Sequence, residues 1–342
     1  EDLSLPVDEG MKKFNHSVVS YIKANFNDFR IFSRLNNSTI ITGQIGSKSF
    51  ISLKLFREIR QFKPHLIVYS PFSSGTLASF IRLFILKLYS LKSRTVIINL
   101  QIRSHYPISQ KLIKLIKPFR VIVFSRKDFN YFRSLKLTPV LCKTGVDINK
   151  FKPTDLKRKG ELRPKYGFKI DDKIILHVGH INVGRNIEIL KSLPGEGYKV
   201  VVAGSTSTDQ DRSLINDLEK AGIKILNSYI QDIEEIYQLS DVYIFPVVND
   251  HSAIEFPLSV LEAMSCNLPV VTTAYGSLPD FFPASDCFFY FTYPEELSNY
   301  VSSALISECN NRDNIITGFS WESVLRHLFN NIDYNDFILH GN

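Results

Sequence analysis

Cysteine is scarce: Cys142, Cys266, Cys287 and Cys309 stand far apart in a chain of 342 residues. None has the close paired spacing of a zinc or dithiol motif, so they read as reduced thiols of a cytoplasmic protein. Long hydrophobic runs are absent too. Lys or Arg interrupts each apolar stretch before the roughly 20 residues that a membrane-crossing helix needs. The opening EDLSLPVDEG is acidic and has no long apolar segment, so it does not read as a secretory leader. No low-complexity tract or short-period repeat is found. The turn in HVGHINVGRNIEIL is not a P-loop, because it has neither that motif's glycine spacing nor its Lys-Ser/Thr pair. No Asp-x-Asp pair stands at a strand end, which leaves metal-dependent chemistry unsupported and no cofactor or metal expected.

What is present describes a globular protein, with 44% hydrophobic and 22% charged residues. The length favours two domains. The net charge of +7 conceals an asymmetry: residues 1–150 hold 25 Lys+Arg against 8 Asp+Glu, whereas 151–342 hold 16 against 26. A basic half joined to an acidic half predicts two domains with different partners, the first favouring anionic surfaces.

Both halves alternate strand-like and helix-like segments. In the first, STIITG (38–43), HLIVYS (65–70), TVIINL (95–100) and RVIVFS (120–125) read as strands. Helical spacing separates them over 10–26, 49–62, 77–94 and 108–119. In the second, KIILHVGH, YKVVVAGS, IKILNS, DVYIFPV and NLPVVTTA are strands. RNIEILKSL, DRSLINDLEKAG and DIEEIYQLS are helices between them. Continuous β-branched strands alternating with helices predict parallel sheets covered on both faces. The polar stretch 152–173 reads as a linker. The predicted fold class is α/β, two doubly wound Rossmann-like domains facing a cleft, with ligands at the strand carboxyl ends.

Three places offer chemistry. In IEFPLSVLEAMSCNLPVVTT (254–273), Pro257 suits the first turn of a helix, and Ser259, Glu262 and Ser265 share one face of it. Val260, Leu261 and Met264 would pack on the sheet, and Glu255 would stand in the cleft mouth. Glu262 is either a ligand-binding carboxylate or a solvated helix residue, and the residues alone leave both open. In HVGHINVGRNIEIL, Gly179 permits a tight turn that sets His180 and Arg185 beside a helix start, a setting for a diphosphate or simply a surface arginine. His105, after the strand TVIINL, is either structural or placed to act on an acceptor hydroxyl. Two basic amphipathic segments, 79–94 and 108–120, interleave Lys/Arg with Leu, Ile and Phe. They read as contacts to an anionic membrane surface or as core-facing helices with solvated outer faces, the second reading fitting 79–94 better.

Several motifs in order resemble those of retaining glycosyltransferases of the GT-B fold, glycosyltransferase family 4. They are TGVDINKFKP (144–153), VVVAGS, YIQDIEEIYQLSDVYIFPV, LEAMSCNLPVVTTAYGSLPDFF and FSWESV (319–324). The resemblance covers almost the whole chain. It implies a metal-independent hexosyltransferase that moves a sugar, with retention, from a nucleotide diphosphate sugar to a hydroxyl of a glycan or lipid-linked acceptor. It implies an acceptor domain over 1–150, a donor domain over 151–320, and a terminal helix over 321–342 packing back on the first. Glu262 would hold the donor ribose, Ile230 would lie near the nucleobase, and Gly179, Phe256, Leu258 and Ser259 would line the donor. Gly10 would lie beneath the reacting centre, on the acceptor side with His105.

Two departures stand out. Ile254 occupies the position of the family's sugar-contacting glutamate, with Glu255 one place later and Pro257 for a usual glycine. His180 and Arg185 stand where the family places Arg and Lys. Alternatives with the same fold class or charge are a nucleotide-sugar 2-epimerase and a non-catalytic nucleic-acid module. The aromatic residues of the basic half lie mostly within apolar segments, so nucleic acid is not expected as a partner.

Overall fold

The computed structural model describes residues 7–33, 43–44, 51–71, 74–103, 105–205 and 210–332. The strand expected over 38–43 falls outside them up to residue 42, as do positions 333–342 of the terminal helix. The first half comprises α1 (Gly10–Asn25), β1 (Phe32–Ser33), β2 (Gly43–Gln44), α2 (Leu53–Phe62), β3 (Leu66–Tyr69), α3 (Leu77–Tyr89), β4 (Arg94–Ile98), α4 (Pro107–Ile116), β5 (Arg120–Val123), α5 (Arg126–Ser134) and β6 (Pro139–Leu141). β3, β4, β5 and β6 form a parallel sheet in chain order, and β1 pairs with β2 separately. Apart from Arg94, Thr95 and Arg120, the residues of β3 to β6 are apolar, as in parallel sheets with both faces covered.

The second half comprises α6 (Leu156–Lys165), β7 (Ile174–Gly179), β8 (Lys199–Gly204), α7 (Arg212–Lys220), β9 (Lys224–Leu226), α8 (Ile233–Leu239), β10 (Val242–Phe245), α9 (Leu258–Ser265), β11 (Val270–Thr272), α10 (Leu278–Phe281), β12 (Phe288–Tyr290), α11 (Leu297–Leu305), α12 (Asn311–Gly318) and α13 (Trp321–Asn331). Its six strands are all parallel, in the order β9-β8-β7-β10-β11-β12. The chain builds outward from β7 to β9, then restarts at β10 on the other side. That reversal leaves a crevice beyond the ends of β7 and β10, the place where sheets of this kind take ligands.

Three sequence expectations need correction. The stretch 152–173 is not an open linker. Asp155 caps α6 by accepting from Arg158 N at 2.7 Å, and Arg163 and Lys159 bind Asp241 at 2.7 and 2.6 Å. These bonds fasten α6 to the start of β10. Second, RNIEILKSL is a series of short 3₁₀ turns, because Asn186 is left-handed (φ 56°) and its amide donates to Pro246 O at 3.0 Å. Third, Cys287 and Cys309 are bonded, their Cα atoms brought 5.5 Å apart by the fold. Cysteine usage therefore no longer argues for a reducing compartment.

The two halves share a core. Phe14 of α1 meets Phe124 and Trp321 edge-on, and Tyr21 stacks on Phe329 of α13 with ring centres 5.4 Å apart. The last described helix thus lies on the first. Val146 N–H donates to Phe319 O at 2.9 Å, tying the segment between the halves to the same place.

Candidate functional site

The site is built first from the end of β7. A Cβ on Gly179 would stand 3.0 Å from Arg185 Nη1 and 3.3 Å from His177 Nε2, so only glycine lets these groups lie directly behind the strand end. Arg185 is 8% exposed, and its Nε has no hydrogen-bond partner. A buried cation with an unused donor is costly unless an anion completes it. Burial pushes its pKa down, yet a guanidinium starts so high that it stays charged. His180 behaves differently. Burial and then the charge of Arg185 lower its pKa to about 4, with Asp8 only partly offsetting them. It is neutral at pH 7, so the expected second charge on a diphosphate does not come from His180. No α-helix starts here either, so the helix N-terminus expected beside Arg185 is absent from this side of the crevice.

On the other side of the crevice, α9 begins at Leu258 directly after Pro257. Val260, Leu261 and Met264 are buried as the apolar spacing predicts. Glu262 is 3% exposed and is not a solvated helix residue. One carboxylate oxygen accepts from Tyr237 OH at 2.8 Å, and the other from Lys13 Nζ at 2.5 Å. Burial, then the Glu262 charge, raises the Tyr237 phenol far above its usual range, which keeps it a donor. Lys13 also stands 5.7 Å above the Phe151 ring. The cleft onto which Lys13 and Glu262 open is walled by Gly179, Gly204, Ile230, Leu258 and Glu262 from one half, and by Asp8, Lys13 and His16 from α1 and the segment before it. Ser259 is half-buried beside Tyr243, whose hydroxyl it meets.

The departure at 254–257 has a definite geometry. Ile254 lies against Gly10, where a Cβ would stand 3.2 Å from its Cδ1. An apolar side chain therefore fills the place beside the α1 start. Glu255 does not turn into the donor cleft in its stead. Its N–H donates to Leu100 O at 2.9 Å, and its carbonyl accepts from Ser277 N at 2.8 Å and Ser277 Oγ at 2.9 Å. Gly276 (φ 55°) makes this possible, since a Cβ there would overlap the Glu255 carbonyl. The carboxyl faces Asp128 of α5, with Lys127, Asp250 and Asp280 nearby. Burial, then Asp128, raises Glu255 to about 7, and burial raises Asp128 to about 6. Phe256 is fully buried, stacked on Phe281 at 5.0 Å, so its side chain packs behind the cleft and does not line it.

His105 lies on the first half's side. Its Nδ1 is 3.0 Å from Tyr131 OH, its ring stacks on Tyr131, and its Nε2 has no partner. Burial lowers its pKa, so it is a neutral imidazole. Tyr131 follows Asp128 by one turn of α5, so the helix carries both groups on one face. Asn99, after β4, is 1% exposed with both amide heteroatoms unpartnered. The sequence reading missed Lys13, Tyr237, Asp128 and Tyr131. Lys13 and Glu262 are 249 residues apart, and no local pattern connects them.

Residues 158–318 match the family model described as glycosyl transferases group 1. A sulfoquinovosyl transferase of Arabidopsis thaliana is 29% identical over 143 residues, 41% of this chain and 26% of that protein. The D-inositol 3-phosphate glycosyltransferase of Xylanimonas cellulosilytica is 26% identical over 150 residues, 39% of this chain and 34% of that protein. The matched segment thus spans between a quarter and about a third of these relatives. A Rickettsia africae glycosyltransferase structure superposes with a TM-score of 0.77 at 16% identity, over 98% of this chain and 97% of that one. HepE of Anabaena in complex with UDP gives 0.76 at 14% identity, over 94% and 96%. At such identities the likeness is one of fold, and the fold is GT-B: two Rossmann-like domains about a cleft.

Proposed function

We propose that this chain is a glycosyltransferase that binds a nucleotide diphosphate sugar in the cleft between its halves and transfers the sugar to a hydroxyl of a glycan or lipid-linked acceptor. The observation that carries the reading is Glu262: a buried carboxylate opening on the crevice at the strand-order reversal, inside the segment matching glycosyl transferases group 1. A carboxylate can accept both hydroxyls of a ribose. Ile230 and Gly204, on the same wall, suit the base end of the nucleotide. Arg185, behind Gly179, would neutralise the diphosphate, and the α9 start would add free N–H groups.

In this proposal the reaction is metal-independent and retaining. The leaving diphosphate takes the acceptor proton on the same face, and Arg185 stabilises the charge that develops on it. The transferred group is a hexose. Glu255 and His105, on the first half's side of the cleft, contact the acceptor or position it. The protein works at an anionic membrane face on the cytoplasmic side. Support for that comes from Ile108, Leu112 and Leu115 on α4 and Ile81, Phe84 and Leu88 on α3, which are exposed among Lys111, Lys114, Arg82 and Lys87. The segment 79–94, which read better as a core-facing helix, therefore also carries exposed apolar side chains, alongside the buried Phe80, Leu83 and Leu86. Among the described residues, no helix is long and apolar enough to cross a membrane.

The test is nucleotide release. The chain is incubated with UDP-, GDP- and ADP-sugars, with and without an extract of lipid-linked glycans. Release of nucleoside diphosphate that requires acceptor supports transfer. Conversion of the sugar without acceptor would instead indicate an epimerase.

A further inference from the structure

The carboxylate that the proposed function assigns to the ribose holds a cation. Lys13 comes from α1 of the first half, and its side chain is 22% exposed against 4% for Glu262. The same cleft must accommodate the two negative charges of a diphosphate. Arg185 supplies one positive charge, and His180 is neutral. Of the cleft-lining residues only Lys13 and Lys150 carry further positive charge; both are paired, Lys150 with Glu234 at 3.3 Å and Gln231 O at 3.2 Å, but only the Lys13 partner, Glu262, is the carboxylate that the ribose would claim. Lys13 is therefore the cation left to complete the diphosphate.

Resting on that reading, we propose that Lys13 is a donor-binding residue supplied by the opposite domain. As the ribose hydroxyls take Glu262, Lys13 passes from Glu262 to the diphosphate. The charge balance favours the exchange. Neutral hydroxyl donors replace the cation at Glu262, where Tyr237 OH continues to donate, and the ammonium neutralises a phosphate beside Arg185. The four-carbon stem of lysine lets the ammonium swing while α1 stays in place. Asp8 and Glu9, which precede α1, face His180 and Arg185 respectively. The incoming diphosphate competes with Glu9 for Arg185, so donor entry rearranges that charge contact of the α1 start as well as the Lys13 pair.

The experiment separates nucleoside from nucleoside diphosphate. Calorimetry measures uridine, guanosine and adenosine, and UDP, GDP and ADP, on the wild-type chain and on Lys13→Met and Lys13→Arg, each checked for an unchanged melting profile. The exchange predicts that Lys13→Met weakens the bound nucleoside diphosphate at least tenfold while nucleoside affinity changes less than threefold. Lys13→Arg should recover most of the loss, because it keeps the charge. Equal weakening of nucleoside and diphosphate would make Lys13 a mere orienter of Glu262 and overturn the exchange, as would no effect on either. If Lys13→Met no longer folds, the Lys13→Arg chain decides: a tenfold loss of diphosphate affinity in it contradicts the proposal. Wild-type chain that binds no nucleotide of the panel refutes the functional reading itself, and the exchange with it.

Discussion

At the residue scale, the cleft is marked by buried charges, Arg185 and Glu262 foremost. Arg185 is nearly enclosed, and the diphosphate of the proposed donor would give its guanidinium a partner. Arg185→Ala should reduce turnover about a hundredfold or more, the range for losing one charge-stabilising donor. Turnover measured at saturating donor checks this, and an unchanged value removes Arg185 from the mechanism. Glu255 and Asp128 form the second residue-scale feature, with carboxyls raised to about 7 and about 6 from ordinary values of 4.5 and 3.8. The folded chain holds protons there that the unfolded chain has lost, so this pair lowers stability as pH rises from about 4 to about 7. His177 and His180, both lowered to about 4, act in the opposite sense up to about 6.5. Comparison with the double variant Asp128→Asn, Glu255→Gln isolates the pair. Urea unfolding across this pH range should show the variant gaining on the wild type as pH rises, and a constant difference would contradict the assignment. Glu262 was legible in the sequence as a carboxylate on a helix face with a motif around it. Its partners were not, because Lys13 and Tyr237 meet it only through tertiary folding.

At the element scale, periodicity served well where both faces of an element are buried and poorly where one residue breaks a pattern. β7, β8 and β10 were legible as apolar runs, and α9 as an amphipathic helix after a proline. RNIEILKSL (185–193) read as a helix because Ile187 and Leu190 have helical spacing. Asn186 in the left-handed region and its bond to Pro246 override that spacing. α6 was hidden in a charged stretch, since it is attached mainly by ion pairs to Asp241 and Glu235, with Leu162 its one fully buried apolar side chain. The disulfide was equally invisible, because a separation of 22 residues has no signature until β12 and the turn before α12 meet. The segment between the halves yields a direct prediction. A Cβ on Gly145 would stand 2.6 Å from Trp321 Cε3 and 2.9 Å from Trp321 Cα. Gly145→Ala must displace the start of α13 and should cost about 1–3 kcal/mol, as overpacking generally does. A chemical-denaturation midpoint equal to that of the wild type would show that α13 adjusts freely.

At the scale of the whole molecule, charge and fold divide the chain in the same way. The basic first half carries α3 and α4 with their exposed apolar and cationic side chains, and the acidic second half carries the crevice at the strand-order reversal. If the first half docks on a membrane, binding must depend on both charge and apolar contact. Co-sedimentation with vesicles containing anionic lipid should fall severalfold in a Lys111→Glu, Lys114→Glu variant and little in zwitterionic vesicles, where binding is weak from the outset. Equal sedimentation of both chains on anionic vesicles would exclude this face. The fold class was legible because alternation of strand and helix specifies it. The precise use of the cleft was not, since it depends on side chains from both halves. The central claim is that Glu262 receives the ribose of a nucleotide diphosphate sugar. Calorimetric titration of the wild-type chain and of Glu262→Gln with UDP-, GDP- and ADP-sugars tests it most directly. Saturable binding of one of them by the wild type and a loss of at least tenfold in the variant are expected; equal affinity in the two chains, or no binding by the wild type, would rule out this role for Glu262.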